Sequence, residues 1–272
     1  MRCVGLNVPA PDLGPAHVHT RPARPLSVHL VPALVAPQLL AGSIVVMIDA
    51  LRASVTISSA LASGARAVFP VLTVEDAIGF ADRMQRSGKP RGEIVLGGER
   101  GGVLIPGFDL DNSPLAYTPE RVRDKAVIFT TANGTSTLLH AYGAARIVIG
   151  ALTNVSAVCR RIEADTRDVH IVCSGTRGEV SLDDCLAAGA MVERLLAAGR
   201  ELGSDDSGLV CLRLWQDATR SGVLKAMRAS RGGRNLGRLG FDADIRICST
   251  VDGLDVLPEY DERTGEITLR RD

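Results

Sequence analysis

A chain of 272 residues is long enough to bury a real core, as one large domain or two modest ones. Its 31 lysines and arginines balance 31 aspartates and glutamates, which leaves no net charge to recruit a polyanion and argues against nucleic acid as a partner. Hydrophobic residues make up 46% and aromatics only 3%, so the core must be built from Val, Leu, Ile and Ala, a palette that suits a buried sheet flanked by helices.

Residues 1–26 hold five prolines and no apolar core of signal-peptide length. They read as a disordered or extended leader, with the domain spanning 27–272. No apolar run reaches the length of a membrane span. The first strand signal is SIVVMIDALRAS (43–54), an apolar run before Asp49 that suits a strand buried on both faces. SVTISSALASGA then has helical spacing and stops at Gly64. ARAVFPV (65–71) precedes a helix in which Thr73 and Asp76 make a capping box. EIVLGGE (93–99) runs into GGERGGVLIPGFDLDNSP (97–114), whose glycines and prolines predict a loop that is either functional or disordered.

The rhythm repeats with KAVIFTTANGT (125–135), RIVIGAL (146–152) and VHIVCSGT (169–176), each followed by a helical pattern. LPEYDERTGEITLRR (257–271) reads as an edge hairpin around a Thr-Gly turn. Strands alternating with helices imply βαβ crossovers. The predicted fold class is α/β: three α/β/α layers on a mixed, largely parallel sheet, as one body or as two lobes.

Polar residues gather where strands end, the place where open α/β sheets bind ligands. Asp49 could bind a hard cation or attack phosphorus, Arg52 offers a fork matched to phosphate or carboxylate, and Ser54 could cap the next helix. The same residues also make sense as an Asp–Arg pair with an ordinary cap. Thr130 to Thr135, with Asn133 and Gly134, form a second short anion cradle that works equally as a capped turn. In CSGTRGEVSLDD (173–184), Cys173 and Arg177 are separated by three residues. Cysteine phosphatases place five there, so Cys173 reads as a buried thiol, while Glu179, Asp183 and Asp184 are either metal carboxylates or helix-start acids.

Six widely spaced cysteines without C-x-x-C fit free thiols in a reduced cytoplasm. Neither nucleotide fingerprint, G-x-x-x-x-G-K-[ST] or G-x-G-x-x-G after a strand, is present. His17, His19 and His29 fall at the edge of the fold and His140 within a helix, which leaves histidine little role as a general base.

Taken in order, IDALRAS (48–54), LGGERGGVLIPGFDLDNSPLAYTP (96–119), IFTTANGT (128–135) and CSGTRGEVSLDDCLAAG (173–189) resemble the 2-phosphosulfolactate phosphatase family of coenzyme M biosynthesis, with a fainter match through 236–258. The resemblance implies a magnesium-dependent phosphohydrolase acting on a small phosphorylated acid, with the 97–114 stretch as an active-site loop. Carried onto this chain, it makes Asp49, Arg52 and Glu99 the catalytic candidates and Asp49, Glu99 and Asp109 the Mg²⁺ ligands. Ser54, Arg100, Asn112, Asn133, Gly134, Thr135, Gly175 and Arg177 become the substrate contacts. The charged SGTRGEVS and the basic SRGGRNLGR (230–238) depart from the family and bear on the substrate. A different phospho-acid and a non-catalytic phosphometabolite binder stay open as alternatives, as does a homo-oligomer built on an apolar strand edge.

Overall fold

The computed structural model describes residues 24–270. In chain order these form β1 (Pro25–His29), α1 (Pro37–Leu40), β2 (Ile44–Ile48), α2 (Ala53–Ala62), β3 (Ala67–Pro70), α3 (Val74–Arg86), β4 (Ile94–Arg100), β5 (Val103–Leu104), α4 (Pro119–Val122), β6 (Ala126–Thr130), α5 (Gly134–His140), β7 (Arg146–Gly150), α6 (Val155–Ile162) and β8 (Val169–Cys173). They continue as α7 (Leu182–Ala197), β9 (Glu201–Leu202), α8 (Ser207–Ser221), α9 (Val223–Ala229), α10 (Arg231–Arg238), α11 (Asp242–Cys248), β10 (Pro258–Asp261) and β11 (Glu266–Leu269). One sheet carries the strands in the order β5-β4-β6-β3-β11-β10-β7-β2-β8-β1-β9.

β2 shows why this apolar palette makes a central strand. All five of its residues are buried. Ile44, Val46 and Ile48 face a core shared with α6, α7 and α8, while Val45 and Met47 face a second core shared with α2. Alternation on a strand buried on both sides thus generates the three layers. The Thr73–Asp76 capping box forms as expected, each side chain bonding the other residue's backbone N–H.

The hairpin is not at the edge. β10 pairs antiparallel with β7 and β11 antiparallel with β3, so the hairpin fills the middle of the sheet, where Ile267 is fully buried. Three antiparallel pairings therefore separate two parallel blocks, β4-β6-β3 and β7-β2-β8-β1-β9, which run in opposite senses. A sheet twists by about 20–25° per strand pair. Over the five steps from β2 to β6 that twist swings the end of one block toward the end of the other. The two-lobe alternative corresponds to these blocks, joined in one sheet.

The leader boundary also moves. Pro25 and Leu26 belong to β1, and Leu26 is fully buried; the rest of the proposed leader, 1–23, lies outside the described residues. The 97–114 stretch begins as strand rather than loop, because β4 continues through Gly97 and Gly98 to Arg100. A Cβ on Gly97 would lie 2.2 Å from the Tyr117 hydroxyl, and one on Gly98, at φ +141°, 2.0 Å from the Thr130 carbonyl oxygen. These two glycines admit neighbouring protein atoms, not an anion.

β1 and β8 carry a histidine pair. His29 Nε2 and His170 Nδ1 are 2.9 Å apart and the half-buried rings stack. Burial first, and then the neighbouring His170, lower the His29 pKa to about 4 against the pull of Asp205, and burial likewise lowers His170 against that of Asp168. Between about pH 6.5 and pH 4 the unfolded chain therefore binds protons that the folded chain refuses. Stability contributed by the pair is present above pH 6.5 and is lost as pH falls through that window. Urea unfolding across the window should show a steeper acid loss in wild type than in His29→Gln; equal slopes would contradict this.

Candidate active site

The polar end of β2 is built around the 49–54 turn, several of whose backbone N–H groups are taken by nearby acceptors. Asp49 N–H donates to Ser54 Oγ at 2.9 Å and Ala50 N–H to Asp184 Oδ1 at 2.8 Å. The Leu51 and Ala53 N–H groups lie toward the Asp183 and Asp49 carboxylates and favour their charged forms. Ser54 N–H reaches the Asp49 carbonyl at 2.9 Å. Ser54 is thus a brace for Asp49 rather than a helix cap, and most of the turn's amides are engaged within the protein. That corrects the expectation of a phosphate cradle at Ser54. Asp184 also accepts from Gly175 N–H at 2.8 Å, which ties Gly175 into the turn's support and away from substrate.

Arg52 is 2% exposed and fully engaged. Its guanidinium donates to Asp244 Oδ2 at 2.6 Å and to the Gly102 carbonyl at 2.8 Å, and lies 4.5 Å from the centre of the Phe241 ring. Asp244 Oδ1 accepts from the Ser113 hydroxyl. One arginine therefore fastens the β2–α2 turn to the β4–β5 turn, to α11 and to the loop after Asp111. Glu99 is held just as firmly, with Oε2 accepting from Gly102 N–H at 2.7 Å and Oε1 from Ala132 N–H at 2.9 Å.

These groups line a cleft of about 400 Å³. Asp49, Arg52 and Glu99 form its floor, Gly101, Gly102, Asn112, Ala132 and Asn133 its walls, and Thr176, Arg177, Arg231, Asn235 and Arg238 its rim. A larger open depression of about 510 Å³ lies at β7 and β10. Its Arg146 and Arg270 both pair with Glu259, so it holds no comparable uncompensated chemistry.

The floor is crowded with acid. Burial foremost, then the charges of Asp183 and Glu99, raise the Asp49 pKa to about 7 against the pull of Ala53 N–H and Arg52. Burial raises Asp183 to about 6, and burial with the charges of Asp183 and Asp49 holds Asp184 well above the carboxylate range. Asp183 Oδ1 is buried with no hydrogen-bond partner among the described residues, and Gly232, on the cleft wall, lies against its other oxygen. Asp49, Glu99 and Asp183 are the hard oxygen donors at this floor, and among the described residues no three His, Cys, Asp or Glu are grouped to hold a metal ion.

Of the residues singled out from sequence, Asp49, Arg52, Glu99, Asn112, Asn133 and Arg177 meet in this cleft. Gly134 lies directly behind Asp49, and Thr135 is buried on the far side beside Met47 and Phe129. Two side chains go elsewhere. Arg100 turns back on its own strand, bonding the Glu99 and Leu72 carbonyls and Thr130 Oγ1. Asp109 forms a two-pronged pair with Arg91 and accepts from Leu96 N–H, so it is a strut and not a metal ligand. Cys173 is fully buried with its thiol pKa raised. Sequence reasoning missed Asp244 and flagged Arg231, Asn235 and Arg238 only as part of the basic run at 230–238, without placing them in the site.

Curated comparison bears on the same residues. The family model described as 2-phosphosulpholactate phosphatase matches residues 29–263. The chain belongs to that family. It is therefore a member of a family of phosphoric monoester hydrolases. Among similar proteins, one from Symbiobacterium thermophilum, named "Probable 2-phosphosulfolactate phosphatase", is 41% identical over 230 residues, covering 85% of this chain and 95% of its own. A protein of the same name from Caldanaerobacter subterraneus subsp. tengcongensis is 41% identical over 215 residues, 79% of this chain and 86% of its own. One from a Synechococcus species is 38% identical over 220 residues, 78% and 86%. Both cleft floor and rim fall inside the family match.

Proposed function

We propose that this protein hydrolyses the phosphate monoester of 2-phosphosulfolactate, releasing sulfolactate and phosphate, with Mg²⁺ as cofactor. The observation that carries the reading is the layering of one cleft: a floor of buried carboxylates beneath a rim of arginines, inside the stretch that matches the family.

The donor set fits magnesium. Asp49, Glu99 and Asp183 supply hard oxygens, Asp183 Oδ1 has no hydrogen-bond partner among the described residues, and burial, with the neighbouring acids, raises the pKa of Asp49. Mg²⁺ is usually held by one or two carboxylates plus substrate phosphate oxygens and water. Among the described residues no group of three or more His, Cys, Asp or Glu is placed to hold a metal ion by itself, so the ion would rest on one or two of these carboxylates, with phosphate oxygens and water completing its shell. Bound there, the ion would screen charge on the phosphate oxygens.

In the reaction an oxygen bonds phosphorus as the ester P–O bond breaks, and the departing lactate oxygen takes a proton. Asp49 is the candidate for the reacting carboxylate. It either accepts the proton of the attacking water or bonds phosphorus itself, in which case a phospho-aspartate forms and water then cleaves it, leaving Glu99 and Asp183 to carry the metal. The stereochemical course at phosphorus, read with a chiral phosphate ester, separates the routes, since direct attack by water inverts the configuration and two successive displacements through Asp49 retain it.

Five buried free thiols, Cys159, Cys173, Cys185, Cys211 and Cys248, support a reducing, cytoplasmic setting. Among the described residues no helix is long and apolar enough to cross a membrane. A place in coenzyme M biosynthesis follows from the substrate and shares its test. That test is phosphate release from a panel of small phospho-acids, with Mg²⁺ and with chelator. Chelation should abolish release, and magnesium should restore it. Metal-independent turnover would remove Mg²⁺ from the reading, and preference for phospholactate would reassign the substrate.

A further inference from the structure

We infer that Arg177 and Arg238 form a clamp for the acidic remainder of the substrate, selecting phosphomonoesters that carry two further anionic groups. The inference rests on the phosphatase reading above. The rim and floor arginines are not equivalent. Arg52 is occupied by Asp244 and the Gly102 carbonyl, and Arg231 is ion-paired with Glu179. Arg177 and Arg238 line the same cleft from separate elements, the loop after β8 and the last turn of α10. Neither guanidinium has a hydrogen-bond or ion-pair partner among the described residues.

Their bases are nevertheless fixed. Arg177 N–H donates to Asn133 Oδ1 at 3.1 Å, and its backbone sits at φ +55°. Helix α10 is capped by Ser230, whose Oγ accepts from Gly233 N–H. The Arg231–Glu179 pair joins the two elements across the mouth. Two anchored, uncommitted guanidinium forks thus face a cleft whose floor is acid. A phosphate drawn to a cation at that floor leaves the other anionic groups of its molecule without a partner unless they meet the rim. Carboxylate and sulfonate oxygens match the planar fork in pairs.

The test compares Arg177→Gln and Arg238→Gln with wild type on phenyl phosphate, phospholactate and 2-phosphosulfolactate, which carry none, one and two further anionic groups. Calorimetric binding of sulfolactate in chelator gives a readout independent of turnover. Wild type should prefer the most anionic substrate. Each variant should lower that preference, as the ratio of kcat/KM values between the first and last compounds, by about 10- to 100-fold. Lysine at either position should recover part of it, and Arg234→Gln, on the same helix but bonded to the Ala229 carbonyl, should leave the ratio at its wild-type value.

Equal losses on all three substrates, or a wild type indifferent to the added anions, would overturn the clamp. If no compound releases phosphate, the phosphatase reading fails by itself. The clamp is then still judged by sulfolactate binding: weakening in both variants upholds it, and unchanged binding overturns it.

Discussion

Asp49→Asn should lower phosphate release by about 10³-fold or more while leaving the fold at least as stable as wild type. The two halves of this expectation have one cause. Asp49 is 7% exposed and shares its surroundings with Asp183 and Glu99, whose charges raise its pKa. An ionised carboxylate there is costly to the folded chain, and the amide keeps the shape while removing the charge. A group retained at such cost, at the bottom of a cleft, is what a reacting or metal-holding carboxylate requires. Steady-state assays at saturating magnesium, with thermal unfolding followed by circular dichroism, check both halves. Turnover within about ten-fold of wild type would remove Asp49 from the chemistry. Loss of activity together with a sharply lower Tm would make it an architectural acid instead.

Asp244→Ala should cost about 3–5 kcal/mol of stability, the largest single effect expected away from the reacting groups. Arg52 and Asp244 are 2% and 3% exposed. Removing the acid strands a buried guanidinium and leaves the Ser113 hydroxyl without its acceptor. The damage should also reach activity, because Arg52 holds the Gly102 carbonyl and so the β4–β5 turn that Glu99 braces from the other side. Replacing both partners by Met and Leu should recover most of the stability and none of the organisation, a split that a double-mutant cycle in urea would register. A loss below about 1 kcal/mol for Asp244→Ala would mean the pair is replaceable by solvent.

The parts legible in the sequence are those decided by near neighbours. The apolar run before Asp49, the Thr73–Asp76 box and the stop at Gly64 are each settled within a few residues, and each forms. Strand order is different. Nothing in LPEYDERTGEITLRR says that β7 and β3 both lack a neighbour that it can supply, so an amphipathic hairpin was read as an edge. In the site, proximity to a strand end correctly gathered Asp49, Arg52 and Glu99. Direction was not legible: Arg100 is adjacent to Glu99 and points the opposite way, as residues on a strand do, and Asp109 is claimed by Arg91. Asp244 lies 192 positions from Arg52, beyond any local pattern.

The central hairpin has a consequence for how this chain is made. Every strand of both parallel blocks leaves the ribosome before β10 and β11 do. Until β10 and β11 have emerged, β7 and β3 each present an unpaired inner edge, and the Asp49 and Glu99 blocks are joined only through side-chain packing and Arg52. Final closure of the sheet therefore waits on synthesis of the hairpin, and a chain interrupted before residue 258 would display two open edges of the kind that other half-made chains can join.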